Sequence, residues 1–352
     1  MEIRKLTGVV GALAFLMFGT PAYAGSCMEV ILTGTQGGPP VFKGQAGAGT
    51  LVTYGTEENK CRDVLLQFDT GRGTTQQLSK IGVPAGKLTA IFFTHIHSDH
   101  SEGLADLMQL RWHFNSAGPK VDMVCHDDAK SFAGHTLSCR NFATHIGDSL
   151  IHSGEMAQRL AENPKRLAGG PAELLNVKTF AESQEPHLVW EHTDVKVSAI
   201  SSRHVPGHAS YRVDTPVGSV VIGGDAGNDK PKPPRETSTS AQVELLAKDA
   251  DILVHSVIHP VMGPDGTTGF PPPIYFRQSN AQDLGAMAAR AGIDNVMYTH
   301  LIPPMGAPRQ GPFKLSAPLT EADYVASARD GGFDGNVVVG TDLAKLRLTS
   351  AD

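Results

Sequence analysis

The sequence predicts an α/β layered domain whose sheets are not purely parallel. Three observations support this fold class. Short runs rich in β-branched and apolar residues recur along the chain, helix-like runs lie between some of them, and the early runs resemble the strands of hairpins. Alternating strands and helices are typical of α/β layers, whereas strands that follow one another closely form antiparallel hairpins.

Ten runs have the composition of β-strands. They are Met28–Leu32, Thr50–Tyr54, Asp63–Phe68, Leu88–Thr94, Val121–Cys125, Val195–Ser201, Ser219–Ile222, Asp251–His255, Asn295–Thr299 and Asn336–Val339. The clearest helices are Thr74–Ile81, Gly103–Trp112, Ala241–Ala247 and Ala281–Ala291. Because 40% of the 352 residues are apolar, we expect one large domain with a substantial core over residues 25–352.

The segment from about residue 115 to residue 186 lacks this regular alternation. It is polar, rich in His, Gly and Ala, and contains one predicted helix near Asp148–Glu162. We expect it to be an insertion that covers one face of the domain. Irregular segments of this length in compact domains are usually functional, so we expect it to influence which substrate binds.

The first 24 residues have the pattern of a secretory signal peptide. Arg4 and Lys5 form a short positive region, an apolar run extends from Leu6 to about Thr20, and Ala-Tyr-Ala follows as a cleavage site. The apolar run is short for a bilayer-spanning helix. We expect cleavage after Ala24 and a mature chain in the periplasm or the medium. A retained N-terminal anchor is the alternative.

The chain contains four cysteines, an even number that predicts disulfides in an oxidising compartment. Cys27 and Cys61 begin two strand-like runs that could lie side by side. Cys125 and Cys139 bracket a short polar loop. We expect the pairs Cys27–Cys61 and Cys125–Cys139, although the sequence by itself allows three pairings.

The strongest functional feature is a run of four ligand-type side chains directly after an apolar strand: His95, His97, Asp99 and His100. Imidazole and carboxylate groups suit zinc and similar ions. Strand alternation places His95 and His97 on one side, where both can bind one metal. Asp99 and His100 can then turn toward a second metal about 3.5–4 Å away.

A loop of this kind cannot complete two metal sites by itself, so further ligands are expected at the ends of later strands. Three residues follow apolar runs in this way: His204, Asp225 and His300. A lone His or Asp at a strand end is more often a cap or an internally bonded polar group. The series of three, in this order after the four-residue run, favours ligands.

These residues match, in type and order, the metallo-β-lactamase superfamily, and the chain most resembles the branch that contains tRNase Z and the zinc-dependent arylsulfatases. In that branch the third histidine precedes a Tyr-Arg pair, and here His204 precedes Tyr211 and Arg212. The run Phe68–Gly71 resembles the end of that branch's third strand. The resemblance covers nearly all of the mature chain apart from residues 115–186.

The resemblance implies an αβ/βα four-layer sandwich, in which two sheets pack face to face with helices on both outer faces. It implies two divalent metal ions, with Zn²⁺ favoured, although Mn²⁺ or Fe²⁺ also suit His and Asp ligands. The implied ligands are His95, His97 and His204 for the first ion, Asp99, His100 and His300 for the second, and Asp225 as the bridge.

The same resemblance implies hydrolysis by a hydroxide held between the two metals. Bound Zn²⁺ lowers the pKa of water to about 7, which supplies hydroxide at neutral pH. The predicted catalytic residues are Asp225, as the bridging ligand, and Asp99, which also orients the hydroxide. Asp69 either hydrogen-bonds around the metal loop from behind the ligands or caps the turn that follows its own strand.

Two positions depart from the tRNase Z pattern. Gln278 stands where that branch has a histidine that helps protonate the leaving group, and Ser256 stands where it commonly has Glu after Val254-His255. A neutral glutamine is not a general acid. We therefore expect a substrate with a good leaving group, such as an aryl sulfate, an activated phosphodiester or a lactone.

Other side chains are candidates for the substrate site, each with an internal or surface role as the alternative. A proton could come from His208, His255 or His259. An anionic substrate group could be bound by Arg277 or Arg212. The residues expected to contact substrate are His208, Tyr211, His259, Arg277 and Gln278.

The leading hypothesis is an exported, metal-dependent hydrolase of a small ester-type substrate, with an aryl sulfate or phosphodiester ahead of a lactone or lactam. One alternative is a tRNase Z-like endoribonuclease, but the net charge of −6 and the lack of a Lys/Arg-rich segment argue against a nucleic-acid partner. The other is a non-catalytic metal-binding protein, against which the complete ligand set argues.

Overall fold

The structure is a computed structural model that describes residues 25–115, 118–163, 165–166, 169–228, 236–264 and 269–350. The predicted signal peptide, residues 1–24, lies outside the described residues. Within the described part, no helix is both long and apolar enough to cross a bilayer.

Most strands of the described chain belong to two large sheets. The strands are β1 Ser26–Gly34, β2 Gly49–Thr56, β3 Val64–Phe68, β4 Ala90–Phe92, β5 Val121–His126, β6 Ala129–Lys130, β7 Thr136–Leu137, β8 Leu175–Phe180, β9 His187–His192, β10 Val195–Ser201, β11 Ala209–Thr215, β12 Gly218–Ile222, β13 Ile252–Ile258, β14 Asn295–Ile302, β15 Arg309–Gln310, β16 Phe313–Lys314, β17 Asn336–Val339 and β18 Lys345–Thr349. All ten predicted strands are confirmed, with ends that differ by a few residues.

The four predicted helices are also confirmed, again with small differences at their ends. The helices of the described residues are α1 Thr74–Lys80, α2 Ser98–Ser101, α3 Leu104–Asn115, α4 Cys139–His152, α5 Met156–Glu162, α6 Ala241–Ala247, α7 Pro272–Tyr275, α8 Ala281–Ala291 and α9 Glu321–Asp330. Helix α8 shows why these boundaries are readable. The Asn280 side chain accepts a hydrogen bond from the Asp283 N–H at its start, and Gly292 ends it with φ 72°.

The two sheets have the same internal arrangement. The first has the strand order β18-β1-β2-β3-β4-β5-β8, and the second has the order β17-β14-β13-β12-β11-β10-β9. In each, half of the neighbouring strands are antiparallel and half are parallel. The prediction that the sheets are mixed is therefore confirmed.

The main core lies between the two sheets and is rich in aromatic side chains. Phe68 and Phe92 of the first sheet stack with ring centroids 4.7 Å apart, and the Tyr211 ring of the second sheet meets Phe92 edge-on at 5.5 Å. Aromatic pairs in such geometries add to the gain from burial itself. These contacts fix the two sheets face to face.

Helices cover the outer face of each sheet. Leu78 of α1 and Leu107 of α3 pack on the first sheet, in a cluster with Ile91 of β4. Helices α6, α8 and α9 pack on the second sheet through a separate buried cluster. The order of layers is helix, sheet, sheet, helix, which is the four-layer αβ/βα sandwich expected from the sequence.

Some elements are not evident in the sequence. The longer ones are β8, β9, β11, β18 and α9, and the short elements β6, β7, β15, β16, α2 and α7 were not predicted either. Strand β18 alternates half-buried and exposed residues at an edge, and β11 begins with two small residues, Ala209 and Ser210, immediately after a loop. Neither pattern has the apolar content that marks the central strands. Such segments form strands because they pair with a neighbouring strand, and β-propensity depends strongly on that context.

The segment 115–186 contributes two neighbouring strands to the first sheet, β5 and the edge strand β8. Between them lie the hairpin β6–β7 and helices α4 and α5. The helix predicted near Asp148–Glu162 is present as two helices, because the chain turns at Ser153 and Gly154 between α4 and α5. Helix α4 also begins earlier than predicted, at a Ser138 side chain that accepts from the Asn141 N–H.

Both predicted disulfides are present. Cys27 and Cys61 lie with Cα atoms 5.2 Å apart, and Cys125 and Cys139 lie 6.6 Å apart. The second bridge joins the end of β5 to the start of α4, so it closes the loop that carries the hairpin β6–β7. A closed loop has fewer unfolded conformations, which favours its folded arrangement.

Candidate metal centre

The predicted ligands converge at one edge of the sandwich, where β4, β12 and β14 end and β10 gives way to a loop. The loop after β4 carries His95 and His97, and α2 adds Asp99 and His100. Nitrogen and oxygen atoms of these residues group with those of later strand ends within 4.8 Å of one another. The groups are His95–His97–His204, His95–His100–Asp225 and Asp99–His100–His300.

The Asp225 carboxylate lies at the centre of this arrangement. Its Oδ2 is 3.4 Å from His100 Nε2, 3.7 Å from His204 Nε2 and 3.3 Å from His300 Nε2. His300 Nε2 is also 2.9 Å from Asp99 Oδ2. The two sets of three residues implied by the resemblance therefore share Asp225 as their meeting point.

Three histidines aim an Nε2 lone pair into the centre, because each Nδ1–H is used elsewhere. His100 Nδ1 donates to Asp69 Oδ2 at 2.8 Å, and His204 Nδ1 donates to the Arg277 carbonyl at 3.1 Å. His95 Nδ1 lies 3.1 Å from the Thr94 hydroxyl, which itself donates to Asp69. A hydrogen bond at one ring nitrogen sets the tautomer and leaves the other nitrogen free to bind a metal.

These residues fit a divalent cation. Within the described residues, the buried Nε2 atoms of His95, His100 and His204, and Oδ1 of Asp225, have no hydrogen-bond partner. Buried polar atoms without a partner are costly, and metal coordination relieves that cost. The atoms are imidazole nitrogen and carboxylate oxygen, which zinc and similar ions prefer.

The electrostatics favour neutral imidazoles in the group His95–His97–His204. Burial lowers the pKa of His95 well below its ordinary value, and it lowers the pKa of His204 to about 4. The pKa of His97 is also lowered, again mainly by burial. A metal ligand must be the neutral imidazole, so these three residues are ready to bind at neutral pH.

Carboxylates dominate the electrostatics around His100 and Asp225. Burial acts to lower the pKa of His100, but Asp225, Asp69 and Asp99 outweigh it and hold that pKa above its ordinary value. Burial likewise acts to raise the pKa of Asp225, but His300 and His100 outweigh it. The carboxylates are therefore ionised and supply negative charge for a cation.

Asp69 supports the metal loop from behind. Its carboxylate accepts hydrogen bonds from the Thr94 N–H and hydroxyl, both at 2.8 Å, as well as from His100. Asp69 has φ 54°, a left-handed conformation that Asp adopts more readily than most residues. The geometry favours the loop-supporting role over a mere turn cap.

A cleft of about 780 Å³ opens beside His204. One wall is the hairpin β6–β7, whose tip carries the exposed Phe132. Pro273, Phe276 and Arg277 line the cleft as well. The Arg277 guanidinium lies 5.7 Å from the Phe132 ring centroid, so the hairpin and the residues around α7 meet. Arg277 therefore lines the cleft, and its predicted contact with substrate stays a prediction.

The prediction that Tyr211 contacts substrate is wrong. Its side chain is fully buried between the sheets, and its hydroxyl donates to the Phe93 carbonyl at 2.6 Å. Strand alternation in β11 turns this ring into the core. The neighbouring Arg212 is also used internally, because it donates to the carbonyls of Leu246 and Lys248 at the end of α6.

The predicted substrate roles of two histidines also need correction. His208 borders the cleft but is buried, and both of its ring nitrogens already have partners inside the protein. His259 lies outside the cleft, where its Nδ1 accepts from the Val261 N–H and its ring packs edge-on against Tyr324. Neither residue has a free nitrogen directed at a substrate.

Gln278 follows Arg277 and is half-buried. Its Oε1 atom is buried and has no hydrogen-bond partner among the described residues. It does not line the cleft, so its predicted contact with substrate stays a prediction. Phe132, like Lys130 and Arg203, is a cleft residue that was not predicted from the sequence. An isolated Phe in a polar segment was its one visible feature, and pairing with Arg277 depends on the tertiary fold.

His255 was considered as a proton donor, but it is buried beneath the centre and donates from Nδ1 to the Ser256 carbonyl at 2.7 Å. Burial lowers its pKa to about 4. The unfolded chain, with a pKa near 6.5, takes up this proton first as pH falls. The stability that His255 contributes is therefore present above about pH 6.5 and is lost toward pH 4, by roughly 2 kcal/mol at pH 5.

Urea unfolding of the metal-free protein at pH 7.5 and pH 5 tests this. The wild type is expected to lose roughly 2 kcal/mol more than His255→Gln over that range. His152→Gln, on the exposed end of α4, should behave as the wild type. Equal losses for the wild type and His255→Gln would contradict the prediction.

Comparison with known proteins supports the superfamily. A family model described as Anti-Pycsar protein Apyc1 matches residues 58–263, more than half of the chain. The curated protein Ribonuclease Z of Mycobacterium bovis (strain BCG / Pasteur 1173P2) is 25% identical over 327 residues, which is 91% of this chain and 98% of that protein.

Solved structures share the fold at low identity. The metallo-β-lactamase fold protein YhfI from Bacillus subtilis aligns with a TM-score of 0.58 and 18% identity, over 92% of this chain and 99% of that one. The short form of human tRNase Z aligns with a TM-score of 0.56 and 15% identity, over 90% of this chain and 98% of that one. Together with the geometry, these findings show a hydrolase of the metallo-β-lactamase superfamily, tRNase Z branch. By the family model that matches more than half of its length, this chain belongs to the family described as Anti-Pycsar protein Apyc1.

Proposed function

We propose that the protein is an exported, metal-dependent phosphodiesterase that cleaves a small phosphodiester with a good leaving group. The observation that carries this proposal is the pair of ligand groups that meet at Asp225 beside an open cleft. Relatives named Ribonuclease Z and tRNase Z support the bond type, because ribonucleases act on phosphodiesters.

The residues of the chain suit the steps of such a hydrolysis. Two bound divalent ions would lower the pKa of water and stabilise charge on the phosphoryl oxygens. The three imidazoles of His95, His97 and His204, the group Asp99–His100–His300 and the Asp225 carboxylate would hold these ions. Asp69 keeps His100 in place through a hydrogen bond. Asp99, ionised and beside His300, can orient a nucleophilic hydroxide. Gln278 supplies no proton, which limits the reaction to good leaving groups.

The charges of the cleft favour a small substrate over a tRNA. Its wall carries three basic side chains and three acidic ones: Lys130, Arg203, Arg277, Asp127, Asp128 and Glu182. A long polyanion needs an extended basic surface, and the net charge of the chain is −6. A single anionic group next to Arg277 fits this mixed surface better.

An aryl sulfate is the second candidate. Phe132, Phe276 and Pro273 give the cleft an apolar part that suits an aromatic leaving group. A sulfate monoester carries one negative charge, as a phosphodiester does, so the same Arg277 contact would serve either one. The test below separates the two.

Hydrolysis of a panel by the zinc-loaded chain from Gly25 onward tests the proposal. The panel contains an aryl phosphodiester, an aryl sulfate, a lactone, a β-lactam and a tRNA precursor. Cleavage of the aryl phosphodiester above the others is expected. A preference for the tRNA precursor would contradict the proposal and favour the endoribonuclease hypothesis. No cleavage of any substrate despite bound metal would favour a non-catalytic metal-binding protein.

Arg277→Ala is expected to lower kcat/KM by about 10- to 100-fold, mainly through KM. A hydrogen bond to a charged partner contributes roughly 1.5–3 kcal/mol, and Arg277 would make one with the substrate anion. Steady-state kinetics on the best panel substrate measure this. Arg290→Ala removes an exposed arginine that pairs with Glu244 on the outer helices, and it should leave both constants unchanged. An unchanged KM in Arg277→Ala would contradict the contact.

Export is also part of the proposal. Two disulfides in the described chain suit an oxidising compartment, and residues 1–24 have the signal-peptide pattern. Mass spectrometry of the protein from a Gram-negative host is expected to find a soluble periplasmic chain that begins at Gly25. A membrane-bound chain that keeps Met1 would instead support the retained anchor.

A further inference from the structure

A continuous line of buried hydrogen bonds runs behind the metal centre. The Asp225 N–H lies 3.1 Å from His208 Nε2, and His208 Nδ1 lies 2.9 Å from the Ser202 hydroxyl. Ser202 Oγ lies 2.7 Å from Ser210 Oγ, and Ser210 donates to the Gly223 carbonyl at 2.8 Å. The side chains of this line are buried, so water does not compete for its bonds.

The direction of every bond in this line is fixed by its two ends. The Gly223 carbonyl can only accept, so the Ser210 hydroxyl donates to it. The Ser210 oxygen therefore accepts a hydrogen bond from the Ser202 hydroxyl. Because the Ser202 hydroxyl donates to Ser210, the Ser202 oxygen accepts from His208 Nδ1–H. His208 Nε2 is left as the acceptor for the Asp225 N–H. The line therefore admits one tautomer of His208, with the proton on Nδ1.

The line connects two separate parts of the metal centre. Ser202 and His208 flank the loop that carries His204, while Gly223 and Asp225 belong to the turn after β12. His208 also lies directly against that turn, since a Cβ built on Gly224 would come within 2.8 Å of its Nε2. Gly224 has φ 61°, so the turn adopts a backbone conformation that favours glycine at this point.

We propose that His208 is a positioning residue that, through Ser202 and Ser210, holds the Asp225 turn and the His204 loop in register for metal binding. It contacts neither substrate nor metal. It fixes the main chain at Asp225, so the carboxylate stays between the two groups of histidines. The proposal rests on the metal centre described above, and it does not depend on which substrate is cleaved.

Replacing His208 separates this role from simple packing. His208→Leu keeps the volume but leaves the Asp225 N–H without a partner. His208→Gln can restore both bonds, because its Oε1 can accept from Asp225 and its Nε2 can donate to Ser202. Ser202→Ala removes only a hydroxyl, and with it the second and third bonds of the line. His152→Leu is the matched control on the exposed end of α4.

Zinc affinity is measured by competition with a chromogenic chelator, on variants whose folding is checked by thermal unfolding. Loss of a residue that orients a metal ligand typically costs about 10- to 100-fold in affinity. That loss is expected in His208→Leu, a smaller one in Ser202→Ala, and near wild-type affinity in His208→Gln and His152→Leu. The visible spectrum of the cobalt-loaded protein should change in His208→Leu and return in His208→Gln.

Two outcomes overturn the proposal. One is wild-type zinc affinity and an unchanged cobalt spectrum in His208→Leu, and the other is a His208→Gln protein as weak as His208→Leu. A wild-type chain that binds no zinc would overturn the metal centre and the positioning role together. A chain that shows the expected affinities but cleaves no panel substrate would overturn only the proposed phosphodiesterase activity.

Discussion

Asp225→Ala is expected to lower kcat/KM by at least about 1,000-fold, which corresponds to roughly 4 kcal/mol of transition-state stabilisation. The Asp225 carboxylate lies 3.3–3.7 Å from the Nε2 atoms of three histidines, so it is placed to bind both ions. Loss of a group that merely orients a ligand costs about 10- to 100-fold, and loss of a shared ligand should cost more.

The effect should be visible in metal content as well as in rate. Elemental analysis of the dialysed protein is expected to show fewer metal ions per chain in Asp225→Ala than in the wild type. Asp225→Asn keeps the shape but removes the charge, so it should retain more metal than Asp225→Ala. The control is Asp148→Ala, an exposed position on α4. Full metal content in Asp225→Ala, with a rate within tenfold of the wild type, would contradict the role of Asp225 as a metal ligand.

Asp69→Asn is expected to weaken zinc binding by about 10- to 100-fold and to lower the free energy of unfolding by roughly 2–3 kcal/mol. Asn tolerates the left-handed backbone at this position nearly as well as Asp. The change therefore isolates the loss of negative charge. An Asn NH₂ group would face donors from Thr94 or His100, which the carboxylate accepts at 2.8 Å.

Asp63→Asn is the matched control for this variant. The Asp63 side chain also accepts hydrogen bonds, from the Thr56 N–H and the Asn59 side chain. It is exposed, and neither of these partners belongs to the metal centre. Zinc competition and urea unfolding measure the two effects separately. A loss of stability in Asp69→Asn without any loss of zinc affinity would reduce Asp69 to a cap of the turn after β3.

The ligand residues could be predicted because their pattern is local. His95, His97, Asp99 and His100 lie within six consecutive residues after an apolar strand, so their proximity follows from chain connectivity. The later candidates, His204, Asp225 and His300, were predicted from their place after apolar runs, and the structure brings them to the same edge. Strands that run in the same direction in one sheet end at the same side, which explains why these residues lie close together.

The substrate-facing residues were predicted less well. Tyr211 is close to His204 in sequence, but the pleat of β11 turns it into the core. His208, four residues after His204, turns inward to Asp225 for a reason that no local pattern shows. Phe132 lies about 145 residues before Arg277 in the chain, and only the packing of the hairpin near α7 brings the two together.

The sequence by itself determined the fold class and the order of the candidate ligands, because each depends on local composition or on a short motif. It allowed three disulfide pairings, and the structure shows the expected one. The tertiary structure decided which side chains face the cleft, which histidines aim Nε2 inward, and how His208 reaches Asp225. Those features depend on side-chain direction and on contacts between distant strands. A change of one residue in strand register would reverse them without altering the local pattern.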